Sequence, residues 1–189
     1  MIKENGEDFT PSHSTSLVTY CPTTATIVSA GAQLQAWNLD NPDSRKIFAV
    51  PVVDGMICRV KLLAWRPGAR IEFSVVFDGL PQVFHFKSHE PSSEHEHIFE
   101  TPDDGDICTY LQWSKEGQIA AGYSNGTICI WDEDSVMPDV VFNPESVAMA
   151  NQSIRFVMWN EVNPYTALIS ANASGTVCVW DIAKNLCVN

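Results

Sequence analysis

Thr109–Asp132, TYLQWSKEGQIAAGYSNGTICIWD, and Ile154–Ile182, IRFVMWNEVNPYTALISANASGTVCVWDI, carry the same pattern twice. Each begins with an apolar run closing on Trp113 or Trp159 and continues through a second apolar run to Asn125-Gly126 or Ser174-Gly175. A short Val/Ile-rich run then closes on Trp131-Asp132 or Trp180-Asp181. Runs of four to six residues rich in Val, Ile, Thr and aromatics read as strands rather than helices. The Gly-containing dipeptides between the second and third runs suit a tight hairpin, whose central residues must tolerate positive φ.

Two fainter copies precede these. The first reads SLVTYCP, TIVSAG and LQAWNLD between Ser16 and Asp40; the second reads VKLLAWRPG, FSVVFDG and QVFHF between Val60 and Phe86, with Asp78-Gly79 at its turn. The aromatics closing the first runs, Tyr20, Trp65, Trp113 and Trp159, are 45, 48 and 46 residues apart. Those closing the third runs, Trp37, Phe86, Trp131 and Trp180, are 49, 45 and 49 apart. Two phased ladders of this period define a repeat. Further apolar stretches, Lys46 to Val53, His97 to Glu100 and Asp139 to Phe142, supply a fourth strand to each of the first three copies. The predicted architecture is all-β, with four-stranded antiparallel blades at 16–53, 57–100, 106–142 and 153–189 after a polar N-terminal segment, 1–15. Copy two departs from the pattern, ending on Phe86 with Pro81 just before its third strand.

Gly126-Thr127-Ile128 with Ile130-Trp131-Asp132, and Gly175-Thr176-Val177 with Val179-Trp180-Asp181, resemble the end of a WD-repeat blade. The resemblance covers roughly residues 16 to 189 and implies a β-propeller that binds other proteins and catalyses nothing. The stretch DICTYLQWSKEGQIAAGYSNGTICIWD is also similar to the WD-repeat subunits of the RNA polymerase III general transcription factor C, which implies a nuclear transcription assembly. WD-repeat blades usually carry a Gly-His pair ahead of the first strand, whose imidazole joins a buried hydrogen-bonded chain to the Trp. Asp54-Gly55, Asp104-Gly105 and Asn151-Gln152 stand there instead. Those networks are therefore expected to be absent, with apolar packing in their place. Four copies are fewer than the seven that WD-repeat rings resemble, so the ring is expected to be partial or truncated, needing further blades or a partner to close it. Ending at Leu186-Cys187-Val188-Asn189, where a fourth outer strand would begin, the chain reads as a truncated product, an isoform or a fragment.

Composition narrows the function classes. With 189 residues, 45% of them hydrophobic, the chain can build a core. No apolar run approaches the roughly 20 residues of a membrane helix, and the N-terminus lacks the pattern of a secretory signal. An intracellular protein without a membrane partner is expected. The net charge of −12 would repel a phosphate backbone, so direct nucleic-acid binding is not expected, while a basic protein segment would be attracted.

Six cysteines form no CxxC pair, and reduced thiols are expected. Cys129 and Cys178, and Cys58 and Cys108 in the stretches DGMIC and DGDIC, read as small packing residues at repeat-equivalent positions. No phosphate loop, dinucleotide fingerprint or nucleophile motif occurs, so neither catalytic residues nor a cofactor is expected. The alternative is a metal-binding or catalytic propeller using the His-rich 85–97 loop, where His85, His89, His95 and His97 alternate with Glu90, Glu94 and Glu96. For partner binding, the loops leading into the first strands bring forward Asp54, Arg59, Asp104, Asp106 and Arg155 by repeat equivalence. Trp37, Trp65, Trp113, Trp131, Asp132, Trp159, Trp180 and Asp181 are expected to serve the repeat itself.

Overall fold

The computed structural model describes residues 3–4, 7–8, 15–21, 23–31, 33–41, 43, 45–68, 72–87, 97–101, 106–143, 152–160, 162 and 167–188. All its regular elements among these residues are strands. Blade one is β3 (Thr15–Cys21), β4 (Thr26–Gly31), β5 (Leu34–Asn38) and β6 (Arg45–Phe48). Blade two is β9 (Val60–Trp65), β10 (Glu72–Phe77), β11 (Val83–Lys87) and β12 (His97–Phe99). Blade three is β13 (Cys108–Trp113), β14 (Gln118–Tyr123), β15 (Ile128–Asp132) and β16 (Val140–Phe142). Blade four is β17 (Ile154–Trp159), β18 (Ala167–Asn172), β19 (Val177–Asp181) and β20 (Leu186–Cys187). In each blade the strands pair antiparallel in chain order, from inner strand to outer. Two small hairpins complete the set, β1 (Lys3–Glu4) with β2 (Glu7–Asp8), and β7 (Val52–Val53) with β8 (Met56–Ile57).

Tight turns close the central hairpins because glycine supplies the left-handed backbone there, with φ of 79° at Gly79, 95° at Gly126 and 88° at Gly175. Pro81 lies outside β11 and costs no ladder bond. The stretch Lys46 to Val53 is not one strand. Pairing with β5 stops at Phe48, Pro51 offers no N–H, and Val52–Val53 folds back on Met56–Ile57 through Asp54 (φ 50°) and Gly55 (φ 76°). Cys58 N donates to Pro51 O at 2.9 Å across the base of this hairpin.

The hairpin also shifts the repeat. Cys58 lies two residues ahead of β9, and the place that Cys108 holds at the start of β13, five residues before the Trp, belongs to Val60 in blade two. Cys58 and Cys108 are both buried free thiols, yet they are not equivalent.

Among the described residues the blades stack in chain order with their inner strands side by side, as a partial propeller without a closed ring. Calling the face toward the next blade leading and the opposite face trailing, each leading face packs on the next trailing face. Three cores result. Val28, Ala30, Leu34, Ala36 and Phe48 meet Val60, Phe73, Val75 and Phe86 between blades one and two. Val76, Val83 and Phe99 meet Leu111, Trp113, Ile119 and Trp131 between two and three. Ala120, Ile128, Ile130 and Phe142 meet Val157, Trp159, Leu168 and Trp180 between three and four. Side chains of this kind contribute about 1.5–3 kcal/mol each when fully buried, so the interfaces rather than any single blade hold the fold.

Every inner strand has a β-bulge at the same place. The ladder skips Ser16, Lys61, Thr109 and Arg155, each four residues before the aromatic near the strand's end. A bulge adds local twist, and its recurrence turns each inner strand in the same way. At the third bulge, Thr109 Oγ1 lies 2.6 Å from Ile154 O, across the gap to blade four.

Candidate functional site

Antiparallel connection puts the loops into the inner strands and the second-to-third turns on one face of the array. Between blades two and three that face holds a groove of ≈ 530 Å³. One wall is the turn after β10, where Asp78 N donates to Arg59 O at 2.7 Å and Leu80 N to Phe77 O at 3.2 Å. The opposite wall is Asp106-Ile107, held against the β14–β15 turn. Ile107 N donates to Ser124 Oγ at 3.1 Å, Ser124 N to Ile107 O at 2.9 Å, and Asn125 Nδ2 to the Asp106 carboxylate. Buried Val76, Phe77 and Cys108 line it from within, and Lys61 projects from its bulge. Two carboxylates and one ammonium thus border an apolar cleft, beside which Ile107 is 54% exposed. Such a cleft can take a cationic side chain with an apolar neighbour.

Of the residues expected to meet a partner, Asp106 lines this groove and Arg59 supports it through its carbonyl. Asp54 sits at the exposed tip of the β7–β8 hairpin, and Arg155 is the exposed bulge residue of β17. Asp104 lies outside the described residues. Counted back from the inner-strand Trp, Asp54 is eleven residues before Trp65, Asp106 seven before Trp113 and Arg155 four before Trp159, so they do not share one repeat position. Sequence reading missed Asp78 and Lys61, since Asp78 reads as a turn former and the bulge that sets Lys61 leaves no signature in composition.

Several of the repeat-signature residues lie at the interfaces between blades. Trp113, Trp131, Trp159 and Trp180 are buried, while Trp37 and Trp65 are half-buried. Three inner-strand indoles donate to the preceding blade: Trp65 Nε1 to Thr19 Oγ1, Trp113 Nε1 to Ser74 Oγ and Trp159 Nε1 to Gln112 O, all at 3.1 Å. Trp131 Nε1 reaches Glu100 O at 3.2 Å, and Trp180 Nε1 reaches Ser170 Oγ in its own blade at 2.8 Å. Asp132 accepts from Gln118 Nε2 at 2.8 Å, and Asp181 from Lys184 Nζ at 2.9 Å.

Apolar packing is therefore not alone: polar links of another kind reach the indoles. Ser74 and Ser170 on the second strands accept from Trp113 and Trp180, Thr19 and two backbone carbonyls accept from the others, and in blade two the link extends to His85, whose Nδ1 is 3.1 Å from Ser74 Oγ. Ser74 Oγ accepts from the indole and has its own proton available for Nδ1, an arrangement in which His85 carries its proton on Nε2. That nitrogen faces Glu72 at 4.0 Å, and Glu72 is bound by Arg66 Nη1 at 2.5 Å. Arg66 also pairs with Glu133 of blade three and lies over the Trp113 ring. Desolvation pushes the His85 pKa down to about 4 against the pull of Glu72, so the ring is neutral near pH 7.

Ser74, His85 and Glu72 have the composition of a nucleophilic triad, but all three are at most 1% exposed and Ser74 already accepts from Trp113. A substrate carbonyl has no path to Ser74 Oγ, and the cluster ties blade two to blade three.

His85 and His97 are not loop residues either. They face each other across β11 and β12, and His97 Nε2 bonds Ser135 O at 2.8 Å. His89, His95, Glu90, Glu94 and Glu96 lie outside the described residues. Among the described residues no three His, Cys, Asp or Glu side chains gather as metal ligands, and no helix is long and apolar enough to cross a membrane.

No protein-family model matches the chain. It is 35% identical over 78 residues to the WD-40 repeat-containing protein MSI3 of Arabidopsis thaliana, a match covering 40% of this chain and 18% of that protein. The comparison supports the WD-repeat family. It supports a protein-interaction scaffold in general. The chain thus spans under a fifth of the relative it matches.

Proposed function

We propose that this chain is a WD-repeat interaction scaffold that takes a basic peptide segment in the groove between blades two and three. The observation that carries the reading is the pairing of Asp78 and Asp106 across an apolar cleft, on loops held by backbone bonds to Arg59, just ahead of β9, and to the β14–β15 turn. A Lys or Arg side chain would lie between the carboxylates while its apolar neighbour packs near Ile107. The net charge of −12 draws such a segment toward the protein before contact. Rigid blades presenting variable loops suit recognition without chemistry, and the similarity to a WD-40 repeat protein favours the same role. Placement in a nuclear transcription assembly rests on resemblance alone, and proteomic identification of co-purified proteins tests it, since a set without a transcription subunit removes that placement.

The test of the groove is an immobilised Lys/Arg-rich peptide library screened against the 189-residue chain and an Asp78→Asn/Asp106→Asn variant. Peptides that bind the chain should lose at least tenfold in affinity with the variant and lose affinity as salt rises. Equal binding by both proteins would reject the groove.

A further inference from the structure

The bulge residues of blades two and three, Lys61 and Thr109, stand at one repeat position, each four residues before the inner-strand Trp. In blade three the side chain is short and is used within the chain. Thr109 Oγ1 lies 2.6 Å from Ile154 O and 3.0 Å from Gly122 O, tying blade three to the start of β17. In blade two the same position faces Cys108, which holds in β13 the place that Ile154 holds in β17, five residues before the Trp. Here the gap between blades is the groove of ≈ 530 Å³, and a lysine stands in it. Among the described residues Lys61 makes no ion pair and no side-chain hydrogen bond, although Asp78 and Asp106 line the same groove.

An exposed ammonium is satisfied by solvent. A ligand seated over buried Phe77 and Cys108 removes that solvent, and a charge then left without a counterpart costs free energy. Asp78 and Asp106 make the opposite demand. A run of cations would satisfy the two carboxylates but set like charge against Lys61, and a run of anions would do the reverse. The net charge of −12 favours the approach of a basic segment, whereas Lys61 acts only at contact, where it discriminates between basic segments.

We infer that the segment this groove takes is of mixed charge: a Lys or Arg side chain for Asp78 and Asp106 and, near it in sequence, an Asp or Glu carboxylate for Lys61. The inference rests on the groove being the peptide site. Lys61 is then its specificity-determining residue, admitting a basic residue with an acidic neighbour and disfavouring a purely basic stretch.

The test uses peptides carrying one Arg in an uncharged background, with Glu or Gln placed in turn at each nearby position on either side. Binding to the 189-residue chain is read by fluorescence anisotropy. In one register the Glu peptide should bind about tenfold more tightly than its Gln counterpart, the scale of a hydrogen bond between charged groups. Lys61→Gln should abolish that difference, and Lys61→Glu should reverse it in favour of Lys in the same register. Lys61 is exposed, so both variants should keep the circular dichroism spectrum and urea midpoint of the parent chain. A preference for Glu in no register, or one that survives Lys61→Gln, would overturn the inference. Peptides that lose affinity with Asp78→Asn/Asp106→Asn yet ignore the Glu would keep the groove and remove the role of Lys61. Peptides that bind that variant as well as the parent chain would remove both.

Discussion

The indole Nε1 of Trp113 donates to Ser74 Oγ at 3.1 Å, across the interface from blade three to blade two. The two residues lie 39 positions apart, are 3% and 0% exposed, and share one polar chain with His85. A single hydroxyl thus satisfies two buried ring nitrogens.

Ser74→Ala strands both nitrogens, which costs about 1–3 kcal/mol per unsatisfied buried group. Urea unfolding should show a lower midpoint at an unchanged slope. Trp113→Phe in the Ser74→Ala background should cost less than it does alone, because the indole donor has already lost its partner. Additive losses would mean that the hydrogen bond contributes nothing.

His85 makes stability pH-dependent. Its folded pKa of about 4 lies below the ordinary 6.5, so the unfolded chain binds the proton more readily. The contribution is fully present above about pH 6.5 and is lost as pH falls toward 4, by at most ~3 kcal/mol. His85→Gln should flatten the stability profile between those limits while leaving carboxylate-driven unfolding below pH 4 in place. An identical slope in both proteins would contradict the assignment.

Gly122 is a close-approach glycine. A Cβ placed there runs into Ile154 Cγ2 and lies 2.7 Å from Ile154 Cβ, across the interface between blades three and four. Gly122→Ala should destabilise by about 1–3 kcal/mol, as overpacking does. Combining it with Ile154→Ala, which removes the nearer atom, should cost less than the sum of the two single changes. Thermal melts of the four proteins decide this.

Thiol reactivity should follow burial. Cys108 and Cys129 are fully buried, and burial pushes the Cys108 pKa up to about 12, whereas Cys187 is half-buried. Brief iodoacetamide treatment of the native chain should label Cys187 and spare Cys108 and Cys129, with all of them reacting in urea. Equal native labelling of Cys108 and Cys187, read by peptide mass spectrometry, would show that the interface between blades two and three opens readily.

Most of the strand order was legible because the repeat writes it locally. A strand half-buried against its neighbour shows its period in its side chains, and a tight turn shows its glycine, so Trp113, Asn125-Gly126 and Trp131-Asp132 sufficed to place blade three. The groove was legible only in part. Asp106 stood out as a charge in a loop, but Asp78 was concealed by its turn role and Lys61 by a bulge.

The residues alone determined an all-β repeat of four-stranded units, because turn chemistry and side-chain alternation act over a few positions. Only the tertiary structure decided that Asp54–Gly55 turns an exposed hairpin, that Ser74 and Ser170 accept from the indoles of Trp113 and Trp180, and that Asp78 and Asp106 border one groove. Each of these depends on which distant strand lies across a gap of one side chain. Pairing across such a gap follows from the packing of whole blades, which no local pattern encodes.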